Sequence, residues 1–258
     1  DSICGLIDPV GPGITPGSAP GHLAIFGYDP IQYHIGRGIL EALGIDVELK
    51  PLDIAARGNF CTVDDKGIIT HRRAGRISTD KNTVLCRLLN NITIEGVKIS
   101  VLPVKEHRFV LIRGGTGLSP ELGDSDPQQI GETPKKIEAL SPRARKTAQI
   151  ANEFVSQASS LLQGKTPANM VLLRGFSRRP HIPSISEIYK LKPAAIATYP
   201  MYRGLARVVG MKVLPGGESI TDQLSSLHRH YAKYDFFFVH FKSADARGED
   251  GDFPAKVQ

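Results

Sequence analysis

The sequence predicts an α/β protein in which a smaller α+β segment interrupts a domain of alternating strands and helices. From residue 166 onward, short apolar runs alternate with helical patterns, as parallel strands and their crossover helices do. Residues 47–165 instead carry the short runs and turn signals of antiparallel strands. We therefore expect residues 1–46 and 166–258 to form one discontinuous domain, and residues 47–165 to form an inserted domain.

A loop rich in glycine and proline, Gly11–His22, opens the first domain. Because glycine and proline disfavour the interior of helices and central strands, this loop should present Ser18 near the start of a helix. Backbone N–H groups at a helix start suit a phosphate group, although Ser18 taken alone fits a plain N-cap better. His22 would share a helix face with Ser18 and would either orient it or pack behind it. A second helical pattern runs from about Ile31 to Leu43.

The inserted segment begins with a hairpin signal. Two strand-like runs, Phe60–Val63 and Ile68–His71, flank the turn sequence Asp64–Gly67. The long stretch from Gly114 to Pro142 is polar and is interrupted by glycine and proline, which is typical of a functional loop. The other elements expected in this segment are helices at 82–89 and 143–162 and strands at 97–104 and 107–112.

The C-terminal part predicts a small parallel sheet. Its last run, Phe236–His240, is almost continuously apolar and therefore predicts a strand of the buried type. Because α/β sheets place their sites at the carboxyl ends of strands, we expect functional side chains after this run. The elements expected before it are strands at 170–173, 194–197 and 212–214 and helices at 185–189, 201–209 and 221–231.

Charge and composition limit the possible partners. The 258 residues carry a formal net charge of +6, with a sequence pI near 9.2. The cations are arginines scattered beside glycine, asparagine and histidine, which favours a folded pocket for a small anion over a nucleic-acid surface. The three cysteines have no paired spacing, and no apolar run approaches the roughly 20 residues of a membrane span. We expect a cytoplasmic protein that binds neither nucleic acid nor membrane, and the oligomeric state stays open.

A set of motifs in fixed order carries a family resemblance. The first is Pro16–Pro30, with the sequence PGSAPGHLAIFGYDP. It is followed by 36–44 (GRGILEALG), 57–64 (RGNFCTVD), 72–76 (RRAGR), 107–114, 117–127, 167–175 and 245–251 (DARGEDG). In this order they resemble the cofactor-independent phosphoglycerate mutases of the archaeal type, which belong to the alkaline phosphatase superfamily.

The resemblance implies a fold and an activity. The fold would be an alkaline-phosphatase-like three-layer metal domain, here incomplete, formed by 1–46 and 166–258, with the α+β insert 47–165 as a substrate-binding cap. The implied activity interconverts 3-phosphoglycerate and 2-phosphoglycerate through a phosphoserine at Ser18. Alternatives are a phosphatase or another phosphomutase of the superfamily, because the cap sets the substrate. A non-catalytic anion-binding fragment is a further alternative.

The resemblance also implies two divalent metal ions, with Ser18 itself among their ligands. Asp245 and Glu249 follow the last predicted strand and are four positions apart, so that their carboxylates could converge on one cation from a helical turn. Relatives often have histidine at the second position, and the carboxylate here favours manganese or magnesium over zinc. The other ligands of the family have no match in the sequence, and Asp8 is too close to Ser18 to supply one. We therefore expect a chain truncated at both ends.

A phosphorylated acid substrate carries two anionic groups, and arginines bind both groups in fork geometry. Because neighbouring residues on a strand face opposite sides, we expect only one of Arg72 and Arg73 to reach the substrate. Arg203 occupies a region where relatives often carry a lysine near the nucleophile, and Arg174 lies at a strand end in a comparable way. Solvated strand faces and ion pairs are the alternative for each of these cations. The candidate substrate-binding residues are Arg57, Arg72, Arg73, Arg76, His107, Arg108, Arg113 and Arg203.

Overall fold

The computed structural model describes residues 5, 8–14, 16–33, 35–249 and 251–257. The chain forms two compact units. The inserted unit is Gly36–Arg179, and the discontinuous unit consists of Asp1–Ile35 and Pro180–Gln258.

Nine α-helices and eight strands lie within the described residues. The strands are β1 (Ile54–Val63), β2 (Ile69–His71), β3 (Lys98–Lys105), β4 (Arg108–Gly114), β5 (Met170–Ser177), β6 (Pro193–Ala197), β7 (Lys212–Leu214) and β8 (Phe236–His240). The helices are α1 (Ser18–Ile25), α2 (Arg37–Gly44), α3 (Thr79–Leu89), α4 (Arg145–Leu162), α5 (Ile185–Tyr189), α6 (Pro200–Val208), α7 (Ile220–His230), α8 (Lys242–Glu249) and α9 (Phe253–Val257).

The inserted unit is built on an antiparallel sheet. Its strands follow the order β2-β1-β4-β3, and β5 also pairs with β1. Alternate residues of a strand point to opposite faces, which divides the sheet into a core face and an outer face. On the core face, Phe60 and Phe109 are fully buried in one cluster with Leu89 of α3 and Phe154 of α4. The two phenylalanine rings lie 4.9 Å apart between centroids.

Helix α2 packs on the sheet without a side chain at its closest point. A Cβ atom added at Gly38 would lie 2.2 Å from the carbonyl oxygen of Ala55 and 2.6 Å from the Cα atom of Ala56. Only glycine permits this approach of helix to strand. The contact places Glu41 beside Arg57, with Oε1 of Glu41 3.8 Å from Nε of Arg57.

Most predicted elements are present, and their bounds differ at the ends. The hairpin, the strands and the long amphipathic helix of the insert are confirmed. The predicted helix at 31–43 begins only at Arg37, because the carboxylate of Asp29 accepts the backbone N–H groups of Ile31 and Gln32 and holds these residues in a turn.

The inserted unit is wider than the predicted insert 47–165 at both ends. Helix α2 and strand β5 account for the difference, because both pack against β1 rather than with the residues that flank the insert. The pairing of β1 with β5 joins residues more than a hundred positions apart in sequence, for example Gly58 with Leu173. The sequence contains no local signal for such a pairing.

The discontinuous unit contains a parallel sheet with the order β7-β6-β8. Strand β6 is buried at every position and lies in the centre. Strand β8 was expected to be of the buried type, but it lies at the edge of the sheet and is half-buried, with Val239 exposed. Its apolar sequence reflects one packed face and several aromatic contacts instead of burial on both faces. Within the described residues, no helix combines the length and the apolar character that crossing a bilayer would demand.

Candidate functional site

Basic side chains gather on the outer face of the sheet in the inserted unit. The register places Arg57 of β1 opposite Arg174 of β5, and it places Asn59 of β1 opposite Arg108 of β4. Nε of Arg57 donates to Oδ1 of Asn59 at 3.3 Å. Four polar residues of three strands therefore share one small area of a sheet face that is otherwise covered by α2.

A buried carboxylate joins two of the arginines. Asp126 receives Nε and Nη2 of Arg72 at 3.1 and 2.7 Å, which is a bidentate pair. Nη1 of Arg174 lies 3.4 Å from Oδ2 of Asp126, which is the atom that accepts Nη2 of Arg72. Asp124 completes the network, because its Oδ1 accepts the backbone N–H of Gly175 at 2.8 Å and its Oδ2 lies 3.4 Å from Nε of Arg174. The two carboxylates fix the position of both guanidinium groups.

The same network sets the charge of Asp126. Burial would raise the pKa of this carboxyl, but hydrogen bonds from Arg72 and the backbone of Gln128, with the charges of Arg72 and Arg174, hold the pKa below its usual value. Asp126 therefore stays ionised at neutral pH. Burial and the charge of Arg174 lower the pKa of the nearby Arg37, which begins α2.

His107 is subject to the charges of a second group of cations, and its Nδ1 atom lies 3.8 Å from Oε2 of Glu106. The side chain is buried, and its Nδ1 atom has no hydrogen-bond partner in the part of the chain that the structure describes. Burial, followed by the charges of Arg108, Arg57, Arg73 and Arg76, lowers the pKa of His107 to about 3. The imidazole is therefore neutral at physiological pH, because burial and the positive charges of the arginines both disfavour its protonation.

Arg72, Arg73 and Arg76 line one open cavity of about 520 Å³, together with Thr70, His71, Gly75 and Ile130. The expectation that only one of Arg72 and Arg73 would face the site assumed that both belong to a strand. Strand β2 ends at His71, so both arginines lie in the turn that follows and border the same cavity. The alternation of a strand does not apply to them.

The turn itself has an uncommon backbone. Ala74, Gly75 and Arg76 all have positive φ angles, of 45°, 63° and 54°. The backbone N–H of Arg76 donates to the carbonyl of Arg73 at 2.7 Å, which closes the turn. Left-handed backbone costs about 1–2 kcal/mol at a residue with a Cβ atom, so Ala74 and Arg76 are strained. The ring of His71 holds this turn, because its Nδ1 atom accepts the N–H groups of Arg73 at 3.1 Å and Gly75 at 3.4 Å.

Arg113 corrects one expectation from the sequence. It was grouped with the substrate arginines, but the alternation along β4 places it on the core face, opposite to Arg108. The side chain is fully buried, and its Nη1 atom donates to the carbonyl of Thr147 in α4 at 3.0 Å. Its guanidinium carbon lies 5.6 Å from the ring centre of Phe176, and burial lowers its pKa to about 10. A cluster on the outer face cannot include it.

In the discontinuous unit, α1 begins at Ser18, as the loop composition predicts. The ring of His22 donates from Nδ1 to the backbone carbonyl of Ser18 at 2.7 Å, so it contacts the main chain of the serine and not its hydroxyl. Tyr202 of α6 forms a side-chain hydrogen bond with Ser18. Burial raises the pKa of Tyr202, and the bond to Ser18 opposes this rise. The predicted Arg203 is the next residue of α6 and is half-buried.

Two side chains that contact Ser18, His22 and Tyr202, belong to a cluster of aromatic rings. The rings of Tyr202 and His240 stack at 3.5 Å between centroids, and the ring of His22 lies 5.1 Å from Tyr202 and 5.5 Å from Phe238. Burial, followed by the nearby His22, lowers the pKa of His240 to about 4. The ring of His240 is therefore uncharged at neutral pH.

The predicted metal ligands are only partly assembled. Asp245 lies on α8 after β8, as expected, and its carboxylate pairs with Lys242 of the same helix. Its negative charge is close enough to act on Tyr202 and His240, which places it in the surroundings of Ser18. The side chain of Glu249 lies outside the described residues. Among the residues that are described, no three histidine, cysteine or acidic side chains converge as a metal site requires. These residues alone do not meet the needs of a two-metal centre.

Sequence reasoning underrated several residues of the outer face. Arg174 is not among the candidate residues predicted from the sequence. In the sequence, Asp124, Asp126 and Arg37 stand out only as members of the motifs 117–127 and 36–44. The signal that could have found the acids is their segment, Asp124–Pro127, since two carboxylates one residue apart in a loop rich in turn formers suit the fixing of cations. His71 gives no sequence signal, because its role depends on the unusual turn after it.

Comparisons with known proteins identify relatives of the chain. Residues 1–169 match the family model described as 2,3-bisphosphoglycerate-independent phosphoglycerate mutase. A probable enzyme of this name from Thermosipho melanesiensis is 50% identical over 252 residues, which cover 97% of this chain and 62% of the relative. Another from Thermotoga maritima is 47% identical over 260 residues, which cover all of this chain and 65% of the relative. The chain therefore spans less than two thirds of the length of these relatives.

Two solved structures are similar to the chain. The cofactor-independent phosphoglycerate mutase of Thermoplasma acidophilum superimposes with a TM-score of 0.63 at 32% identity, over 88% of this chain and 64% of that one. A protein of Pyrococcus horikoshii superimposes with a TM-score of 0.75 at 27% identity, over 97% of this chain and 62% of that one. The match to the family model and the relatives at about half identity settle the classification: the chain belongs to the 2,3-bisphosphoglycerate-independent phosphoglycerate mutases.

Proposed function

We propose that this protein is a cytoplasmic phosphoglycerate mutase of glycolysis and gluconeogenesis that interconverts 3-phosphoglycerate and 2-phosphoglycerate without a bisphosphorylated cofactor. The observation that carries the proposal is the 50% identity, over 97% of the chain, to a probable enzyme of that activity. The substrate is a small acid with one phosphate and one carboxylate. The outer face of the inserted unit supports such a substrate, since two of its arginines, Arg72 and Arg174, are held in place by the carboxylates of Asp124 and Asp126.

In this proposal, the cations of the inserted unit bind the substrate. The pKa of His107 is lowered by the charges of four arginines, which are Arg57, Arg73, Arg76 and Arg108. A doubly charged phosphate placed among them would receive charge-assisted hydrogen bonds from several guanidinium groups. His107 is neutral there and can donate or accept one hydrogen bond without adding to the repulsion among the cations. Arg72 and Arg174 are fixed by Asp126 and supply further donors.

Ser18 is the proposed nucleophile. Its hydroxyl oxygen would form a bond to the phosphorus atom of 3-phosphoglycerate while the bond from phosphorus to the C3 oxygen breaks. The serine proton would pass to the C3 oxygen, which becomes a hydroxyl group. The C2 hydroxyl oxygen would then form a bond to the phosphorus atom while the bond from phosphorus to the serine oxygen breaks, and the C2 proton would return to Ser18, which yields 2-phosphoglycerate. Tyr202 supports the role of Ser18, because its hydrogen bond fixes the serine side chain at the start of α1.

The family resemblance further implies two divalent ions in the native protein, manganese or magnesium in preference to zinc. When bound, such ions neutralise phosphate oxygens and lower the pKa of a serine hydroxyl. Ser18, Asp245 and Glu249 are the residues of this chain that we propose as ligands. Because Asp245 is paired with Lys242 here, binding would require that ion pair to open.

The test is mutase activity of the protein with its native termini. Ser18→Ala should lower the conversion of 3-phosphoglycerate to 2-phosphoglycerate by at least about a thousandfold, as expected for loss of a nucleophile. Ser225→Ala, on the exposed side of α7 in the same unit, is the matched control and should keep full activity. Mass spectrometry of the acid-quenched enzyme should find one phosphoryl group on the peptide that contains Ser18. Retained activity in Ser18→Ala, or release of inorganic phosphate as the main product, would refute the proposal.

A further inference from the structure

The strained turn after β2 suggests a role for a residue that no sequence motif marks. Ala74, Gly75 and Arg76 have left-handed backbone, and only the glycine adopts it without strain. Arg73 and Arg76 stand at the two ends of this turn, and both border the cavity of about 520 Å³. The direction of both guanidinium groups therefore depends on the conformation of three consecutive residues.

We propose that His71 is a positioning residue, which holds this turn so that Arg73 and Arg76 are directed at an anionic group of the ligand before the ligand binds. The inference rests on the proposed function, since it assumes that these cations bind the phosphate or carboxylate of the substrate. His71 acts through the turn, because its Nδ1 atom accepts the backbone N–H groups of Arg73 and Gly75.

The hydrogen bonds fix the chemical form of the His71 ring. Both partners of Nδ1 are backbone N–H donors, so Nδ1 must be the unprotonated nitrogen and the ring proton must be on Nε2. A charged imidazolium would have no acceptor for either N–H group. Few side chains can replace this arrangement, because the acceptor must reach the N–H groups two and four positions later in the sequence.

The benefit of holding the turn is a lower entropy cost of binding. Without the bonds to His71, the segment could relax from the left-handed region, and Arg73 and Arg76 would point in varied directions. Binding would then include the entropy cost of ordering both long side chains and the turn, and this cost would weaken the affinity. Both side chains are exposed at this cavity, and the charges of both lower the pKa of His107.

The alternative role for His71 is direct contact with the ligand, because its ring also borders the cavity. The two roles differ in what a substitute must supply. Asparagine keeps an oxygen acceptor that bonds the N–H two positions later, as in an Asx turn, but it is too short to reproduce the outer edge of the ring. Phenylalanine keeps the ring shape and supplies no acceptor. His71 is exposed, so neither substitution threatens the fold.

The experiment measures the affinity of this chain for 3-phosphoglycerate and for inorganic phosphate by calorimetry, with His71→Asn and His71→Phe beside the unaltered protein. We expect His71→Phe to weaken both affinities by about tenfold and His71→Asn to stay within about threefold. Amide hydrogen exchange at Arg73 and Gly75 should be faster in His71→Phe and close to the unaltered rate in His71→Asn. The thermal midpoint should change little in either variant.

Three results would overturn the inference. Equal loss of affinity in both variants would show a direct contact, unchanged affinity in both would show no role, and unchanged exchange in His71→Phe would show that the ring does not hold the turn. A failure of the proposed function looks different. In that case the protein with native termini lacks mutase activity although the exchange rates at Arg73 and Gly75 still respond to the acceptor at position 71.

Discussion

At the scale of single residues, His107 shows how neighbouring charges decide a protonation state. Its ring is buried, and the charges of four arginines act on it, so its pKa falls from the usual 6.5 to about 3. A histidine whose pKa is lowered by folding binds its proton more readily in the unfolded chain. Protonation of His107 in the unfolded chain therefore lowers the free energy of unfolding. This loss is absent above pH 6.5 and grows as the pH falls toward 3. His240, with a pKa of about 4, acts in the same direction.

This linkage predicts the effect of His107→Gln on acid stability. At pH 5 the unaltered protein should have lost about 1–2 kcal/mol of its free energy of unfolding through His107, relative to pH 8. His107→Gln should remove that part of the dependence, and its urea midpoint should fall less between pH 8 and pH 5. His228→Gln, which changes an exposed histidine of α7, is the control and should leave the slope unchanged. Parallel slopes for His107→Gln and the unaltered protein would contradict the pKa assignment.

Single residues of the candidate site could be selected from the sequence, but their pairings could not. Arg57, Arg72 and Arg108 stood out as cations beside glycine or histidine. The partner of Arg72 is Asp126, which is 54 positions away, and Arg174 is 48 positions from the same carboxylate. Nothing local links such residues. Arg113 illustrates the opposite error, because it lies within a motif and yet the alternation of its strand turns it into the core.

At the scale of elements, local chemistry determines most of what the sequence predicts. The turn sequence Asp64–Gly67 gives the hairpin because Gly67 takes a φ of 77° and Oδ1 of Asp64 accepts the N–H groups of Lys66 and Ile68. The apolar period of α4 gives the longest helix. The turn at 74–76 escaped prediction, because alanine and arginine are not residues that signal left-handed backbone.

The packing of α2 leads to a prediction about one glycine. Gly38→Ala would place a methyl group 2.2 Å from the carbonyl oxygen of Ala55, and neither backbone can yield without moving the helix or β1. We expect a loss of about 2–4 kcal/mol in unfolding free energy, beyond the usual cost of overpacking by one methyl group. Chemical denaturation measures this loss.

Gly21→Ala in α1 is the matched control, because a Cβ atom there would meet only Pro16 at an ordinary 3.5 Å. Alanine is the better helix former, so this variant should be neutral or more stable by up to about 1 kcal/mol. If Gly38→Ala behaved like Gly21→Ala, the close approach of α2 to β1 would be wrong.

At the scale of the whole molecule, the division into two units was predictable but its limits were not. The change from antiparallel to parallel signals marks an insertion, and the flanking segments share the alternation of one α/β domain. The limits depend on α2 and β5, which local patterns assign equally well to either side. Long-range pairing with β1 decides both, and it makes the inserted unit Gly36–Arg179 instead of 47–165.

The inserted unit has the properties of a domain that folds alone. It contains its own sheet and its own core cluster, which spans residues from Ile54 to Phe176. Its two ends are adjacent, since a Cβ atom added at Gly36 would lie 2.1 Å from Oγ of Ser177. Adjacent ends are common in domains that are inserted into other domains. Apart from Arg203, the candidate arginines and their carboxylate partners belong to this unit.

We therefore expect Gly36–Arg179, expressed alone, to unfold in one cooperative transition and to gain thermal stability from millimolar 3-phosphoglycerate, because a ligand that binds only the folded state stabilises it. The segment 47–165 is the matched control. It lacks α2 and β5, which leaves the edge of β1 that pairs with β5 unpaired and exposes core residues such as Phe60, so it should show no cooperative transition. Circular dichroism and calorimetry on both segments distinguish the outcomes. Cooperative folding of 47–165 would show that β5 is dispensable, and a molten Gly36–Arg179 would show that the unit depends on the rest of the chain.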